Sequence, residues 1–131
     1  MMAPTRRPCD VLLVAADLNE RRLLFGELLE AGYDVRSLPG FAPALGELLQ
    51  HAVAPRLILL DVQGDQHATP KSVEHLATLS PGIPLILIVG LIAKPLWDSL
   101  ERPVTAMLYR PITIGQVVET VRQILSAANG N

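Results

Sequence analysis

One carboxylate stands where chemistry is expected. The stretch Leu57-Ile58-Leu59-Leu60-Asp61 is four large apolar residues followed by an aspartate. A short apolar run with no polar face, set between Pro55 and Gly64, predicts a strand buried on both sides. In an open sheet covered by helices on both faces, ligands sit just beyond the carboxyl ends of the strands. Asp61 is therefore the leading candidate for chemistry, and its partners decide what it does. Two other acids lie just beyond predicted strands. Asp17 follows another apolar run, but Glu20 three residues later makes it a natural helix cap. Asp65 lies four residues beyond Asp61 on a polar loop.

Other chemistries are thinly represented. The chain has 131 residues, 11 basic and 13 acidic side chains and a formal net charge of −2, so it carries no electrostatic footprint for nucleic acid or an anionic membrane. A single cysteine, Cys9, excludes an internal disulfide and a multi-cysteine metal site. The three histidines are separated and lack cysteine partners, which gives no zinc pattern. The segment Ala16 to Arg21 has no glycine and so no phosphate-binding fingerprint. No nucleophile–base pair can be assembled from spacing, and an enzyme is not expected. No apolar run approaches the roughly 20 residues of a membrane span, and the cytoplasm is the expected location.

The elements that must position Asp61 follow from punctuation and period. Val11 to Ala15 predicts a first buried strand, and Asp17 opens a helix with Leu24, Leu28 and Leu29 inward. Gly32 ends that helix. Tyr33 to Arg36 alternates as a second, more exposed strand. Phe41 to Ala52 predicts a helix with Leu45, Leu48 and Leu49 inward. Thr69-Pro70 caps and opens the next helix, and Leu85 to Val89 is the most apolar strand. A short helix holds Pro95, Leu96, Trp97 and Leu100, with Pro103 closing it. Val104 to Tyr109 predicts a fifth strand, and Thr113 caps the last helix. Residues 1–8 are expected to be a flexible arm, 9–126 one domain and 127–131 a tail. Five strands alternating with five helices imply a parallel, doubly wound α/β sheet built of right-handed βαβ units.

At this point the sequence resembles the receiver domain of two-component response regulators. The resemblance runs from about Asp10 to Leu125. It is carried by Val11-Leu12-Leu13-Val14 with Asp17 and Arg21 after it, by Leu28 to Val35, by Leu57 to Asp61, and by Tyr109-Arg110-Pro111-Ile112-Thr113. It implies a flavodoxin-like, three-layer α/β/α fold with strand order 2-1-3-4-5. In that family two acids after the first strand and a phosphoacceptor aspartate hold Mg²⁺. A hydroxyl after the fourth strand and a lysine after the fifth bind the phosphoryl group. Here only Asp61 keeps its family residue. The acid-pair positions are Ala15 and Ala16, the hydroxyl position is Gly90, the lysine position is Arg110, and the aromatic switch position is Met107. The family also suggests a cis bond before Pro111.

The resemblance and its gaps together predict a pseudo-receiver. Phosphorylating Asp61 would add about two negative charges with no metal to neutralise them. Charge stabilisation is nearly all the catalysis such a site offers. An ion pair of Asp61 with Arg110, which is never neutral and forks onto carboxylates, is expected in place of the metal-centred network. No cofactor and no metal are expected. The predicted role is a protein-interaction or dimerisation module in two-component signalling. The contact face is the fourth helix, fifth strand and fifth helix, with Leu91, Ile92, Pro95, Leu96 and Trp97 as interface candidates. Two alternatives stand. One is a phosphoaccepting regulator that uses Asp61 and Mg²⁺ with Asp17 or Asp65 as replacement ligands. The other is a flavodoxin-like domain binding a small ligand at the strand ends.

Overall fold

The structure, a computed structural model, describes residues 7–100 and 104–128. The strands are β1 (Arg7–Ala15), β2 (Val35–Leu38), β3 (Val53–Asp61), β4 (Leu85–Val89) and β5 (Ala106–Tyr109). The helices are α1 (Leu18–Glu30), α2 (Phe41–Leu49), α3 (Pro70–Leu79), α4 (Lys94–Trp97) and α5 (Ile114–Ala128), with a 3-10 turn at Leu91–Ala93 leading into α4. The strands form one parallel sheet in the order β2-β1-β3-β4-β5. This is the doubly wound architecture that alternating apolar strands and amphipathic helices require.

The apolar runs sort themselves by the two-residue period of a strand. Leu12, Val14, Ile58, Leu60, Leu87 and Val89 join the core on the α2–α3 side, where Trp97 also packs. Val11, Leu13, Leu57, Leu59, Ile86 and Ile88 join the core under α1 and α5. The central strands therefore have no polar face because they have no exposed face. Asp61 follows Leu57 and Leu59 at the two-residue period and falls on the α1–α5 side. Cys9 is buried at the start of β1, where burial pushes its thiol up to about 11 and keeps it protonated.

Several boundaries differ from the sequence reading, each for a tertiary reason. Arg7 and Pro8 belong to β1 rather than to an arm, because they pair with Val53 and Ala54 at the start of β3. The second strand is Val35–Leu38, later than expected. Gly32, at φ 95°, lets the Gly32 N–H reach Leu29 O and the Tyr33 N–H reach Leu28 O, so Tyr33 is spent on closing α1. α2 stops at Leu49, and β5 starts at Ala106, the first residue opposite Ile86. α5 runs to Ala128, into the expected tail. Leu29 and Leu49, expected inward, are 46% and 53% exposed, at the margins of their helices' apolar faces. The remainder of the expected arm, the end of the tail and the expected stop at Pro103 lie outside the described residues. The Arg110-Pro111 bond is cis. No helix among the described residues is long and apolar enough to cross a membrane.

Candidate functional site

Asp61 ends β3 beneath the surface, only 2% exposed. Its Oδ1 accepts the Gln63 N–H at 3.0 Å, a bond local to the loop. Its Oδ2 accepts from Arg110 Nη2. Arg110 follows β5, two strands away, so the sheet order and the parallel direction bring both residues to the same edge. The same Nη2 lies 2.7 Å from Glu20 Oε1 in the first turn of α1. One guanidinium after β5 thus bridges two carboxylates, one from β3 and one from α1. Arg110 Nε is buried without a hydrogen-bond partner.

Burial dominates the acidity of Asp61. It raises the carboxyl above its ordinary range, while the Gln63 N–H and the Arg110 charge pull it back down. Glu20 adds a like charge nearby and raises it further. The formal sum over Arg110, Asp61 and Glu20 is −1, so the cluster is closed on itself and has no positive charge to spare.

Glu20 is the functional residue that sequence reasoning missed. Its spacing from Asp17 suggested only a reciprocal capping box. Half of that box exists, since Asp17 Oδ1 accepts the Glu20 N–H at 2.9 Å. The Glu20 side chain turns to Arg110 instead. A signal was present: an acid one turn into α1, facing the carboxyl edge beside an arginine position after β5.

Both candidate replacement acids are occupied as caps. Asp17 is the N-cap of α1. Asp65 accepts the Phe41 N–H on Oδ2 at 2.6 Å and the His67 N–H on Oδ1 at 3.1 Å, so it caps α2 from across the loop. Gly40 at the head of α2 has no side chain to do this. Ala15 and Ala16 supply only backbone carbonyls, and Arg21 Nη1 donates to Ala15 O at 2.7 Å. Magnesium wants several oxygen ligands in near-octahedral geometry. The donors here do not fit it, because the Asp61 and Glu20 carboxylates already hold a guanidinium. No group of three or more acids, histidines or cysteines among the described residues is placed to hold a metal.

The remaining switch positions are also altered. Gly90 follows β4 with open space where a side chain would stand. Met107 is half-buried in β5. The aromatic on this strand is Tyr109, whose hydroxyl lies 2.8 Å from Asp98 Oδ1 and 2.9 Å from Met107 Sδ. Lys94 Nζ sits 5.2 Å from the Tyr109 ring centre and 2.7 Å from Asp98 Oδ2. This cluster ties α4 to β5.

Trp97 is a correction. It is 3% exposed and packs into the core on the α2–α3 side, so it anchors α4 to its own sheet rather than offering itself to a partner. The exposed interface candidates are its neighbours: Leu91 at 57%, Ile92 at 99% and Leu96 at 58%, with Pro95 also exposed. Leu91, Ile92 and Leu96 border a groove of about 1020 Å³ between the β3–α3 loop, the β4–α4 turn and the β5–α5 loop. A second pocket of about 280 Å³, lined by three acids, Asp17, Glu20 and Asp61, lies on the other side of Gln63 and Gly64.

No family model matches this chain, and no curated protein sequence matches it. Solved structures do. The receiver domain of NtrX from Brucella abortus superposes with a TM-score of 0.72 at 23% identity, covering 89% of this chain and 98% of that one. A response regulator receiver protein from Sinorhizobium medicae gives 0.76 at 22% identity, covering 93% and 96%. A longer NtrX chain from Brucella abortus gives 0.76 at 22% identity, and the match spans only 28% of its length. The chain has the receiver-domain fold, flavodoxin-like with strand order 2-1-3-4-5.

Proposed function

We propose that this chain is a pseudo-receiver, a signalling module that works by binding protein and accepts no phosphoryl group by the magnesium-dependent route. The observation that carries this reading is Arg110 bridging Asp61 and Glu20. In an acidic pocket of this kind a divalent ion would offset two negative charges. The guanidinium offsets one, and it is shared between two carboxylates. A phosphoryl group on Asp61 would add about two more negative charges beside Glu20. The transition state would meet that excess without a charge clamp. The chain is accordingly read as no enzyme, with no cofactor and no metal, acting in the cytoplasm. Its partner surface is read as the end of the molecule around α4 and β5. The exposed Leu91, Ile92, Pro95 and Leu96 support that choice, as does the Tyr109–Asp98–Lys94 cluster that holds α4 in one position.

The test is direct. The protein is incubated with Mg²⁺ and acetyl phosphate, and its mass is read beside Asp61→Asn. The expected result is no phosphoryl adduct on either. An adduct on the wild type that Asp61→Asn loses would restore the phosphoaccepting reading.

A further inference from the structure

We propose that a pocket at the amino-terminal edge of the sheet binds a small monocarboxylate, held between the guanidinium groups of Arg7 and Arg36 and beside His51. The pocket encloses about 390 Å³ and lies where β1 and β3 begin. Val53 opens β3 and Asp61 ends it, so this pocket lies about 25 Å along the strand from Asp61. It shares no residue with the Asp61–Arg110–Glu20 cluster. Arg7 opens β1 opposite Val53 and lines the pocket, exposed and in no ion pair among the described residues. Arg36 reaches it from β2, and Glu47 on α2 grips that guanidinium twice. Oε1 accepts from Nε at 3.2 Å and Oε2 accepts from Nη2 at 2.5 Å. This fixes the guanidinium plane and leaves Nη1 uncommitted among the described residues. An arginine already held in place gives up less freedom when it grips a ligand.

The charges select the ligand. Among the lining groups Arg7 and Arg36 stand against Glu47, a formal sum of +1 with histidine counted neutral. Asp10, toward the same edge, is taken by Arg56 at 3.0 Å, and Asp34 does not line the pocket. One carboxylate balances the remaining charge and presents two coplanar oxygens to the arginine forks. A phosphate group, close to a dianion at neutral pH, would overshoot that charge beside Glu47. Gln50 brings an exposed amide, and the buried Val53 gives an apolar patch for the body of the ligand. The volume is at the lower end for small-molecule sites. His51 joins the wall at a cost. It holds φ 55°, the left-handed conformation that closes α2. Its N–H donates to Leu48 O at 3.2 Å, and the Ala52 N–H donates to Glu47 O at 2.9 Å. Glycine takes that conformation with less strain. Histidine instead puts a residue with an imidazole on the pocket wall.

Benzoate, its neutral isostere benzamide and phenyl phosphate are the probes, titrated into the full chain and followed by amide NMR shifts. Benzoate is expected to bind with a Kd of about 1 mM, the scale for so small a ligand, and to shift Arg7, Arg36 and His51. Benzamide and phenyl phosphate are both expected to bind more weakly. Arg7→Gln removes the unpaired charge, keeps the backbone pairing, and is expected to weaken benzoate about tenfold. Arg7→Lys keeps the charge, loses the fork and should fall between. Glu47→Gln is expected to let phenyl phosphate overtake benzoate, because the opposing carboxylate is gone. His51→Gly should raise the thermal midpoint by relieving the backbone and yet weaken benzoate about threefold. Unchanged circular dichroism shows that the variants fold. Benzamide binding as tightly as benzoate, or wild type preferring phenyl phosphate, overturns the carboxylate assignment. Benzoate shifts that lie elsewhere, or that Arg7→Gln leaves unchanged, overturn the site. Benzoate affinity unchanged in His51→Gly overturns the place of His51 in it.

Discussion

Two pockets share the Gln63-Gly64 segment, and they are opposites. The one toward α1 is small and acidic, lined by Asp17, Glu20 and Asp61, and the last two share Arg110 as their counter-charge. The one toward α4 is several times larger, apolar and open, and its neighbours Ile92 and Leu96 find no cover within the described residues. The difference separates charge that is paired within the fold from apolar surface that is left exposed. Catalysis in a receiver-like pocket depends on charge left available to the reacting group. Here Arg110 is held between Asp61 and Glu20, while the adjoining edge keeps its apolar surface exposed.

The largest effect should separate Trp97 in α4 from Ile92 in the 3-10 turn before it. Trp97→Ala is expected to cost about 3–5 kcal/mol, the range for emptying a buried aromatic site. Ile92→Ala should stay within about 0.5 kcal/mol at concentrations where the chain is monomeric. Urea unfolding of the two variants measures both. Equal losses would erase the distinction between core and contact surface on this segment.

The acidic pocket comes next. Arg110→Met leaves Asp61 buried without its counter-charge and should cost about 3 kcal/mol at neutral pH, the lower end for breaking a buried pair because Arg110 is partly exposed. Asp61 escapes by taking a proton, so the loss should shrink as pH falls. Even in the wild type the folded Asp61 carboxyl lies above its unfolded value. Its ionisation therefore costs stability above the raised folded value. That cost fades as pH falls through it and is gone below the ordinary aspartate range. The stability of Asp61→Asn relative to wild type should accordingly be greater at pH 7 than near pH 4, read by unfolding at both pH values. The opposite slope would mean that Arg110 outweighs burial.

Smaller effects sharpen the assignment of the two outlying acids. Asp17→Ala and Asp65→Ala should each cost about 1 kcal/mol, the worth of a helix cap. Neither should change the response of thermal stability to added Mg²⁺. A magnesium-dependent stabilisation that either variant removes would make that residue a ligand instead.

Much of the scaffold was legible from local pattern. Apolar runs of five or so residues named β1, β3 and β4 because a strand buried on both faces needs no alternation. Asp17, Thr69-Pro70 and Gly32 marked helix ends because orphan N–H and C=O groups demand such residues. Asp61, Arg110 and their pairing were legible through the family resemblance, which supplied the strand order that spacing alone lacks. Boundaries near β2 and β5 were less legible, since a strand's ends are set by what lies opposite on its neighbour.

Only the tertiary structure decided which way ambiguous side chains turned. Trp97 and Ile92 are both apolar residues near one short segment, and a helix of four residues has too few turns to declare a face. Packing sent one into the core and left the other in water. Glu20 read as half of a local cap until α1 and the β5–α5 loop were brought together, and then the stronger charge of Arg110 claimed it. Asp65 read as a loop acid until α2 arrived with an uncapped N-terminus. Local hydrogen bonding and periodicity are written along the chain. Competition among partners distant in sequence is resolved only when the sheet places them side by side.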